Sequence, residues 1–202
     1  MSVDPDSPRG LPLGRFVVVL LLVGLDLWTK SWAFAWLPEA ESVARDPHGH
    51  LRHTVLDPWL GIMLSCNPGA AFGRLGDWPY LLVGGRTIAI AVLTWIVWRA
   101  DRRQRWTFVA MLLVLAGAAG NLADNLGLGC YEEEHPFHLV RDFLDVWFLS
   151  ERFGWDWHFP TFNVADSCIT VGAFVWILAG FFEHDRGSDE EELAPSSEVD
   201  AG

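Results

Sequence analysis

The chain has 202 residues, of which 51% are hydrophobic and 12 are tryptophan, and its formal net charge is -12. This composition is too apolar for an ordinary soluble domain, and tryptophan favours the boundary between membrane and water. The negative balance excludes a nucleic-acid-binding protein, which needs a basic surface. Much of the charge lies in residues 183–202, which we expect to form an acidic, disordered cytoplasmic tail.

Four stretches are apolar and long enough to cross a bilayer, at about residues 16–36, 80–98, 106–123 and 162–182. Each is close to the roughly 20 residues that a spanning helix needs. Only helices satisfy their own backbone polar groups at this length in lipid. Residues 1–182 are therefore expected to form one all-α membrane domain with four transmembrane helices. The first stretch also has the outline of a cleavable signal peptide, although charged and bulky residues crowd its possible cleavage site.

The distribution of arginine predicts how these helices are oriented. The connection between the second and third stretches holds one aspartate and four arginines, namely Arg99, Arg102, Arg103 and Arg105. Such an excess is typical of a cytoplasmic loop. Both termini would then be cytoplasmic, and the long loops at residues 37–79 and 125–161 would face outward.

Two matching polar islands lie at the ends of the third and fourth stretches. Each places an amide three residues before a carboxylate, in the pairs Asn121–Asp124 and Asn163–Asp166, so that both groups share one face of a helix. Asp at the centre of a membrane helix costs about 2.5–3.5 kcal/mol, so such groups are rare and usually functional. Asn121 lies about 22 Å along the third helix, near the outer end, which is also where Asn163 and Asp166 fall. Convergence at one depth predicts a site between helices, although amides also bridge packed helices.

Paired carboxylates in a partly dry site cannot both ionise cheaply, so one keeps its proton while the other stays charged. Such a pair can activate a water and protonate a leaving amine, as in an aspartic protease. The alternative is a small transporter with a proton relay through Asp26, Asp124 and Asp166. That alternative predicts polar residues spread through the depth of the membrane.

Two further features of the spanning stretches have structural interpretations. Glycines such as Gly24, Gly84, Gly117 and Gly172 indicate close packing between helices. Arg86, in the second stretch, is expected to extend toward the outer surface, where its charge reaches water.

The three cysteines, Cys66, Cys130 and Cys168, include no CxxC pair, so neither a disulfide scaffold nor a structural zinc site is indicated. We expect free thiols, with pairing of Cys66 and Cys130 in an oxidising compartment as the alternative. An aspartate and two histidines in residues 46–50 could bind a metal, but without a helical ligand spacing a solvated loop is the expected interpretation.

Five motifs, in order along residues 15–182, resemble those of bacterial lipoprotein signal peptidase, the type II signal peptidase. They are DLWTK at residues 26–30, NPGAAFG at 67–73, GAAGNLAD at 117–124, VRDF at 140–143 and FNVADS at 162–167. Each motif alone is weakly specific, whereas the ordered set together with four predicted spans is strongly specific.

The resemblance implies an intramembrane aspartic endopeptidase that removes the signal peptide from a prolipoprotein, cutting before a cysteine that carries diacylglycerol. It implies a catalytic dyad of Asp142 and Asp166 that needs no metal or other cofactor, and an active site near the outer leaflet of the bacterial inner membrane. It also implies a small extracytoplasmic β element. We expect a monomer whose partners are the prolipoprotein and membrane lipid. The residues that would bind substrate or support the dyad are Asp26, Lys30, Asn67, Gly69, Asn121, Asp124, Asn163 and Ala165.

The chain departs from the family pattern beside Asp124. Asn125 stands where the family usually has arginine, which removes a charge partner for Asp124. Arg141, in place of a valine before Asp142, is a candidate substitute. Lys30, four residues after Asp26, also has the spacing of an internal salt bridge.

An insertion at residues 127–138 lengthens the interval between Asp124 and Asp142. Asp124 is therefore an alternative partner for Asp166, and Asp145 is a weaker one. The same departures leave a catalytically inactive, binding-only relative as an alternative to an active enzyme.

Overall fold

The computed structural model describes residues 13–45, 49–57, 59–68, 76–100, 105–146 and 159–192, without the side chains of residue 13 and residues 181–192. Within these residues lie four long helices and four strands. The helices are α1 (Leu13–Trp36), α2 (Pro79–Arg99), α3 (Arg105–Ala123) and α4 (Val164–Glu192). The strands are β1 (Ala44–Arg45), β2 (Leu51–Leu56), β3 (Leu60–Asn67) and β4 (Val140–Val146).

Three helices in the described part of the chain are long and apolar enough to cross a bilayer: α1, α2, and α3 with the π-helical turn Asp124–Leu128 that continues it. The apolar part of α4, Val164–Gly180, is at the short end of the spanning range. The predicted fourth stretch begins too early, because Phe162 instead pairs with Leu144 in a β-bridge and the helix starts at Val164. Residues 183–192 of the predicted tail continue the backbone of α4, and residues 193–202 lie outside the described part of the chain. The disordered tail therefore stays a prediction.

The helix bundle buries charged and amide side chains as well as an apolar cluster from α1, α2 and α3, and its outer surface is apolar. Buried residues include five charged or amide side chains of the helices: Asp26, Lys30, Asn121, Asp124 and Asn125. By contrast, large apolar side chains on the outer faces of the helices are exposed, among them Leu20, Leu21, Ile88, Trp95 and Phe174. In a water-soluble protein the outer faces of the helices would be polar, so these exposed apolar faces indicate helices that contact lipid.

Helix α3 is the centre of the bundle and packs against α1, α2 and α4. Its crossing with α4 is close because glycine faces it. A Cβ atom added at Gly117 would overlap the backbone oxygen of Ala165, and one added at Gly172 would lie 2.8 Å from Val114 Cγ2. The crossing therefore brings the C-terminal end of α3 directly against the first turn of α4.

The strands form one antiparallel sheet in the order β1-β2-β3-β4. Three strands come from the first predicted outer loop and β4 comes from the second, which confirms a small β element. In the β3–β4 register Ser65 faces Asp142 and Asn67 faces Val140. The Leu144–Phe162 bridge then leads the chain from β4 into α4.

The inserted loop is tied to the sheet by a disulfide between Cys66 of β3 and Cys130. The expectation of three free thiols is therefore wrong for these two residues, while Cys168 is free and buried. The Cys130–Leu139 bridge closes the base of the loop. The inserted loop therefore extends from the chain while the π-helical turn and β4 stay close together.

Candidate active site

Asp142, in the middle of β4, is 1% exposed and holds hydrogen bonds on both carboxylate oxygens. Asn67, at the end of the neighbouring strand β3, donates its amide to Oδ2 at 3.0 Å. Asn163 donates its side-chain amide to Oδ1 at 2.6 Å. The strand and two amides therefore fix the orientation of this carboxylate.

Asp166 lies in the first turn of α4 and is only partly buried. Asn163, immediately before the helix, accepts a hydrogen bond from the Asp166 backbone N–H at 2.8 Å, and its own N–H donates to Asp166 Oδ2 at 3.3 Å. This reciprocal pair has the form of the capping box found at the N-terminus of many helices. Asn121 of α3 donates its amide to the other carboxylate oxygen at 2.7 Å. The same bonds that start the helix thus orient the carboxylate.

Asn163 brings the two predicted dyad members together. Its side chain is fully buried, bonds the carboxylate of Asp142 and caps the helix turn that carries Asp166. Its amide also donates to Asn121 Oδ1 at 3.2 Å. Two carboxylates that are far apart in the chain therefore share one amide neighbour.

Burial raises the pKa of the Asp142 carboxyl, and the negative charge of Asp166 raises it further, to about 7. The hydrogen bonds from Asn67 and Asn163 and the charge of Lys30 act in the opposite direction. Near neutral pH, Asp142 can therefore hold or release a proton, which is what a general acid or base requires.

Beneath the two acids, Lys30 joins α1 to α3. Its ammonium lies 2.8 Å from Asp26 Oδ2, 3.1 Å from Asp124 Oδ2 and 3.0 Å from Asn121 Oδ1. The salt bridge with Asp26 confirms the spacing argument. Asp26 in turn accepts the backbone N–H of Ala165 at 2.8 Å, so this ion pair also positions the start of α4.

Arg141 pairs with Asp124, in agreement with its predicted role as a substitute for the arginine whose position Asn125 occupies. Its Nη2 and Nε atoms lie 2.8 and 3.1 Å from Asp124 Oδ1, and its backbone N–H donates to Oδ2 at 3.0 Å. Asp124 therefore faces two cations and the backbone of β4. It holds the strand against α3, whereas the alternative in which it replaces Asp142 would require it to leave these partners.

Arg86 points inward, so the expectation that it extends to the outer surface is wrong. Its guanidinium donates to the side-chain oxygen of Asn125 at 2.5 Å. Asn125 is buried, and its amide also donates to the backbone oxygen of His138 at 2.8 Å. Asn125 thus connects α2 to the end of the inserted loop. No spacing rule in the sequence relates residues 86 and 125.

The remaining predicted residues fall in different places. Ala165 is buried at the α3–α4 crossing, and Gly69 lies outside the described residues. Asp145 is buried away from the dyad, where it pairs with Arg52 at 2.8 Å. Among the described residues no cluster of three or more histidine, cysteine or acidic side chains is arranged to hold a metal ion, and residues 46–48 of the candidate loop lie outside them.

Comparison with known proteins identifies relatives along most of the chain. The family model described as signal peptidase (SPase) II matches residues 18–182. Lipoprotein signal peptidases of Yersinia pseudotuberculosis (serotype O:1b, strain IP 31758) and Yersinia pestis (strain Pestoides F) are each 33% identical over 168 residues, which cover 81% of this chain and 84% of theirs.

Two solved structures, both titled as bacterial membrane enzymes obtained by the in meso method, share the fold. One, at 2.3 Å resolution, has a TM-score of 0.62 and 24% identity, and covers 92% of this chain and 94% of its own. The other, at 1.9 Å resolution, has a TM-score of 0.56 and 27% identity, and covers 82% and 91%. The motifs, the pair of carboxylates and these relatives agree, and the chain belongs to the signal peptidase II family of aspartic peptidases.

Proposed function

We propose that this protein is an intramembrane endopeptidase that removes the signal peptide from diacylglyceryl-modified prolipoproteins, cutting before the lipidated cysteine. Asp142 and Asp166 are its catalytic dyad. The observation that carries this assignment is the position of Asn163, which bonds the carboxylate of Asp142 and caps the turn that holds Asp166.

The difference in burial supports a different chemical role for each acid. Asp166 is the more exposed acid, so its carboxylate acts as the base that takes a proton from water while the water oxygen attacks the scissile carbonyl. Asp142, whose pKa is raised to about 7, holds the shared proton and gives it to the leaving amide nitrogen as the C–N bond breaks. The products are a carboxylic acid and an amine. One proton enters the dyad and one leaves it in each cycle.

The arrangement of charged loops supports a location at the outer leaflet of the inner membrane. The arginine-rich connection after α2 is expected to be cytoplasmic, which places the sheet, the inserted loop and the start of α4 on the opposite side. With α4 as a fourth span, both termini are cytoplasmic. A signal peptide held in the same bilayer reaches such a site from lipid, and we expect a monomer to be sufficient.

Substitution of each acid tests the assignment. Asp142→Asn and Asp166→Asn should each reduce cleavage of a diacylglyceryl-modified prolipoprotein by at least about a thousandfold, because a neutral amide can serve as neither acid nor base. Both variants should still insert and accumulate in the membrane. Asp57→Asn, which removes an exposed carboxyl on the sheet, is the matched control and should cleave normally.

The same assay separates the alternatives. Normal cleavage by Asp142→Asn together with inactivity of Asp124→Asn would transfer the dyad role to Asp124. Absence of cleavage by the unaltered protein would favour the binding-only relative. A proton-relay transporter is the less supported alternative, because Asp26, Asp124 and the two acids of the dyad belong to one hydrogen-bonded network instead of a path.

A further inference from the structure

The buried and half-buried charges of the site are unequal in number. Four carboxylates belong to it: Asp26 on α1, Asp124 on the π-helical turn, Asp142 on β4 and Asp166 on α4. Three cations face them: Lys30 on α1, Arg86 on α2 and Arg141 on β4. Since Arg52 and Asp145 neutralise each other on the sheet, the site keeps one excess negative charge when all four acids are ionised.

Two of the cations are bound to acids outside the dyad. Lys30 contacts Asp26 and Asp124, and Arg141 contacts Asp124. Arg86 differs, because its hydrogen bond goes to the neutral amide of Asn125, and no carboxylate of the described residues lies within ion-pair distance of it.

Arg86 is held close to the buried acids, because Asn125, which accepts its hydrogen bond, directly follows Asp124 in the π-helical turn. Asp124 is in turn linked through Lys30 to Asn121, which donates to Asp166. Burial is the largest influence on the guanidinium, and among the acids Asp166 acts on it most strongly, followed by Asp142 and Asp124. The side chain is partly buried within α2, where water screens such interactions poorly. An arginine side chain in this environment stays protonated and therefore supplies a fixed positive charge.

We propose that Arg86 is a positioning residue for the proton of the dyad: held by Asn125, its charge balances the buried acids so that Asp142 and Asp166 together keep a single proton at neutral pH. This inference rests on the proposed function. With three cations and four acids, one shared proton makes the site neutral, and that is the protonation state in which one acid can donate while the other accepts. Without Arg86, neutrality requires a proton on each member of the dyad, and neither can then act as base.

The sign of the pH effect follows from this balance. Loss of a positive charge raises the pKa of the Asp142 carboxyl, because the negative charges around it are then less compensated. Both limbs of the pH–activity profile should therefore move to higher pH in Arg86→Gln, by about one unit, the low end of what a nearby opposite charge produces. At the pH of the acid limb the variant should be about tenfold slower than the unaltered enzyme, and raising the pH should restore most of the rate.

The experiment measures cleavage of a diacylglyceryl-modified prolipoprotein from pH 5 to pH 9 by the full-length enzyme in lipid nanodiscs. Arg86→Lys keeps the charge and should keep both limbs in place. Arg99→Gln removes a positive charge from the exposed cytoplasmic end of the same helix, where it contacts Trp95, and should leave the profile unchanged. Asn125→Asp leaves Arg86 in place but adds a carboxylate beside it, and should move the limbs upward as Arg86→Gln does.

The outcomes are distinct. Upward movement of the limbs in Arg86→Gln and Asn125→Asp, but not in the two control variants, supports the proposal. A slower Arg86→Gln enzyme with unmoved limbs, or one that is inactive at every pH, shows a purely structural role and overturns it. If Arg86→Gln does not accumulate in the membrane, the profile of Asn125→Asp decides. Failure of the unaltered enzyme to cleave would instead refute the proposed function.

Discussion

The buried amide of Asn163 combines helix capping with orientation of the dyad. Helix starts leave several backbone N–H groups without partners, and asparagine is among the residues that best satisfy them. Here the oxygen of Asn163 accepts the N–H of Asp166, while its nitrogen is left to donate to Asp142. Aspartate would cap the helix equally well but would bring a third negative charge to the dyad. Electrostatics therefore favours asparagine over aspartate at this position.

The pair Arg141–Asp124 is the residue-scale contact whose energy can be measured most directly. Arg141→Met should lower the free energy of unfolding by about 3 kcal/mol or more, because removal of one partner leaves a buried carboxylate undercompensated. Arg141→Lys should retain part of the stability. Thermal unfolding in detergent micelles, followed by fluorescence of the tryptophans, measures both changes.

A double variant provides the control for this prediction. In Asp124→Asn/Arg141→Met both charges are absent, Lys30 keeps its bond to Asp26, and stability should recover most of the loss. A double variant as unstable as Arg141→Met alone would show that Arg141 acts mainly through another contact, such as its bond to Ser31 at 3.2 Å.

At the scale of single residues, sequence reasoning identified the carboxylates but not all of their cations. Asp26 and Lys30 are four residues apart on one helix, so their contact follows from helix geometry. Arg86 and Asn125 lie on different helices, and their contact depends on how α2 rotates about its axis. Helix α2 is apolar almost all round, so its sequence carries little information on that rotation.

At the scale of elements, the crossing of α3 and α4 sets the position of Asp166. Gly117 and Gly120 of α3 lie against Ala165 in the first turn of α4, and such small residues allow backbones to approach closely. Lipid offers no hydrophobic force that would press two helices together, so van der Waals contact at small residues provides much of the association.

Gly117→Ala tests the role of this crossing. The added Cβ would overlap the backbone oxygen of Ala165 and lie 2.7 Å from Ile169 Cγ1, so α4 must move. We expect a loss of about 1–3 kcal/mol in stability, typical of overpacking, and a larger relative loss of cleavage because Asp166 follows Ala165. Thermal unfolding and the cleavage assay measure the two effects.

Gly24→Ala is the matched control within α1. Nothing lies within 4 Å of a Cβ atom at Gly24, so the variant should keep its activity and gain slightly in stability from helix propensity. Equal behaviour of the two variants would contradict the crossing argument. The pair also shows why glycine in a span predicts close packing at some positions only: Gly117 faces a neighbour, whereas Gly24 and Gly84 face open space.

The sheet shows where pattern reasoning reaches its limit at this scale. The helices were predictable because a bilayer dictates their length and composition. The pairing of β3 with β4 joins residues more than seventy positions apart, such as Ser65 and Asp142, across two intervening helices. No local periodicity encodes such a pairing, and the disulfide between Cys66 and Cys130 depends on the same pairing.

At the scale of the whole molecule, the helices expose apolar side chains, while a network of charged and amide side chains is buried between them. Its stability in lipid comes from removing charged and amide groups from the hydrocarbon and pairing them with one another. The catalytic proposal uses the same network, since each buried acid has a partner that also fixes its position. Fold and chemistry therefore depend on one set of contacts.

The predicted orientation of the whole molecule can be tested by thiol labelling, for which the chain is well suited. Cys66 and Cys130 are joined and Cys168 is buried, so the unaltered protein should react little with a membrane-impermeant maleimide. Thr54→Cys adds an exposed thiol on β2, and Arg99→Cys adds one at the end of α2. In spheroplasts Thr54→Cys should be labelled at once, whereas Arg99→Cys should require permeabilised membranes, because the positive-inside rule places the arginine-rich connection in the cytoplasm. The reverse pattern would place the sheet and the dyad on the cytoplasmic side, where no translocated prolipoprotein could present its cleavage site.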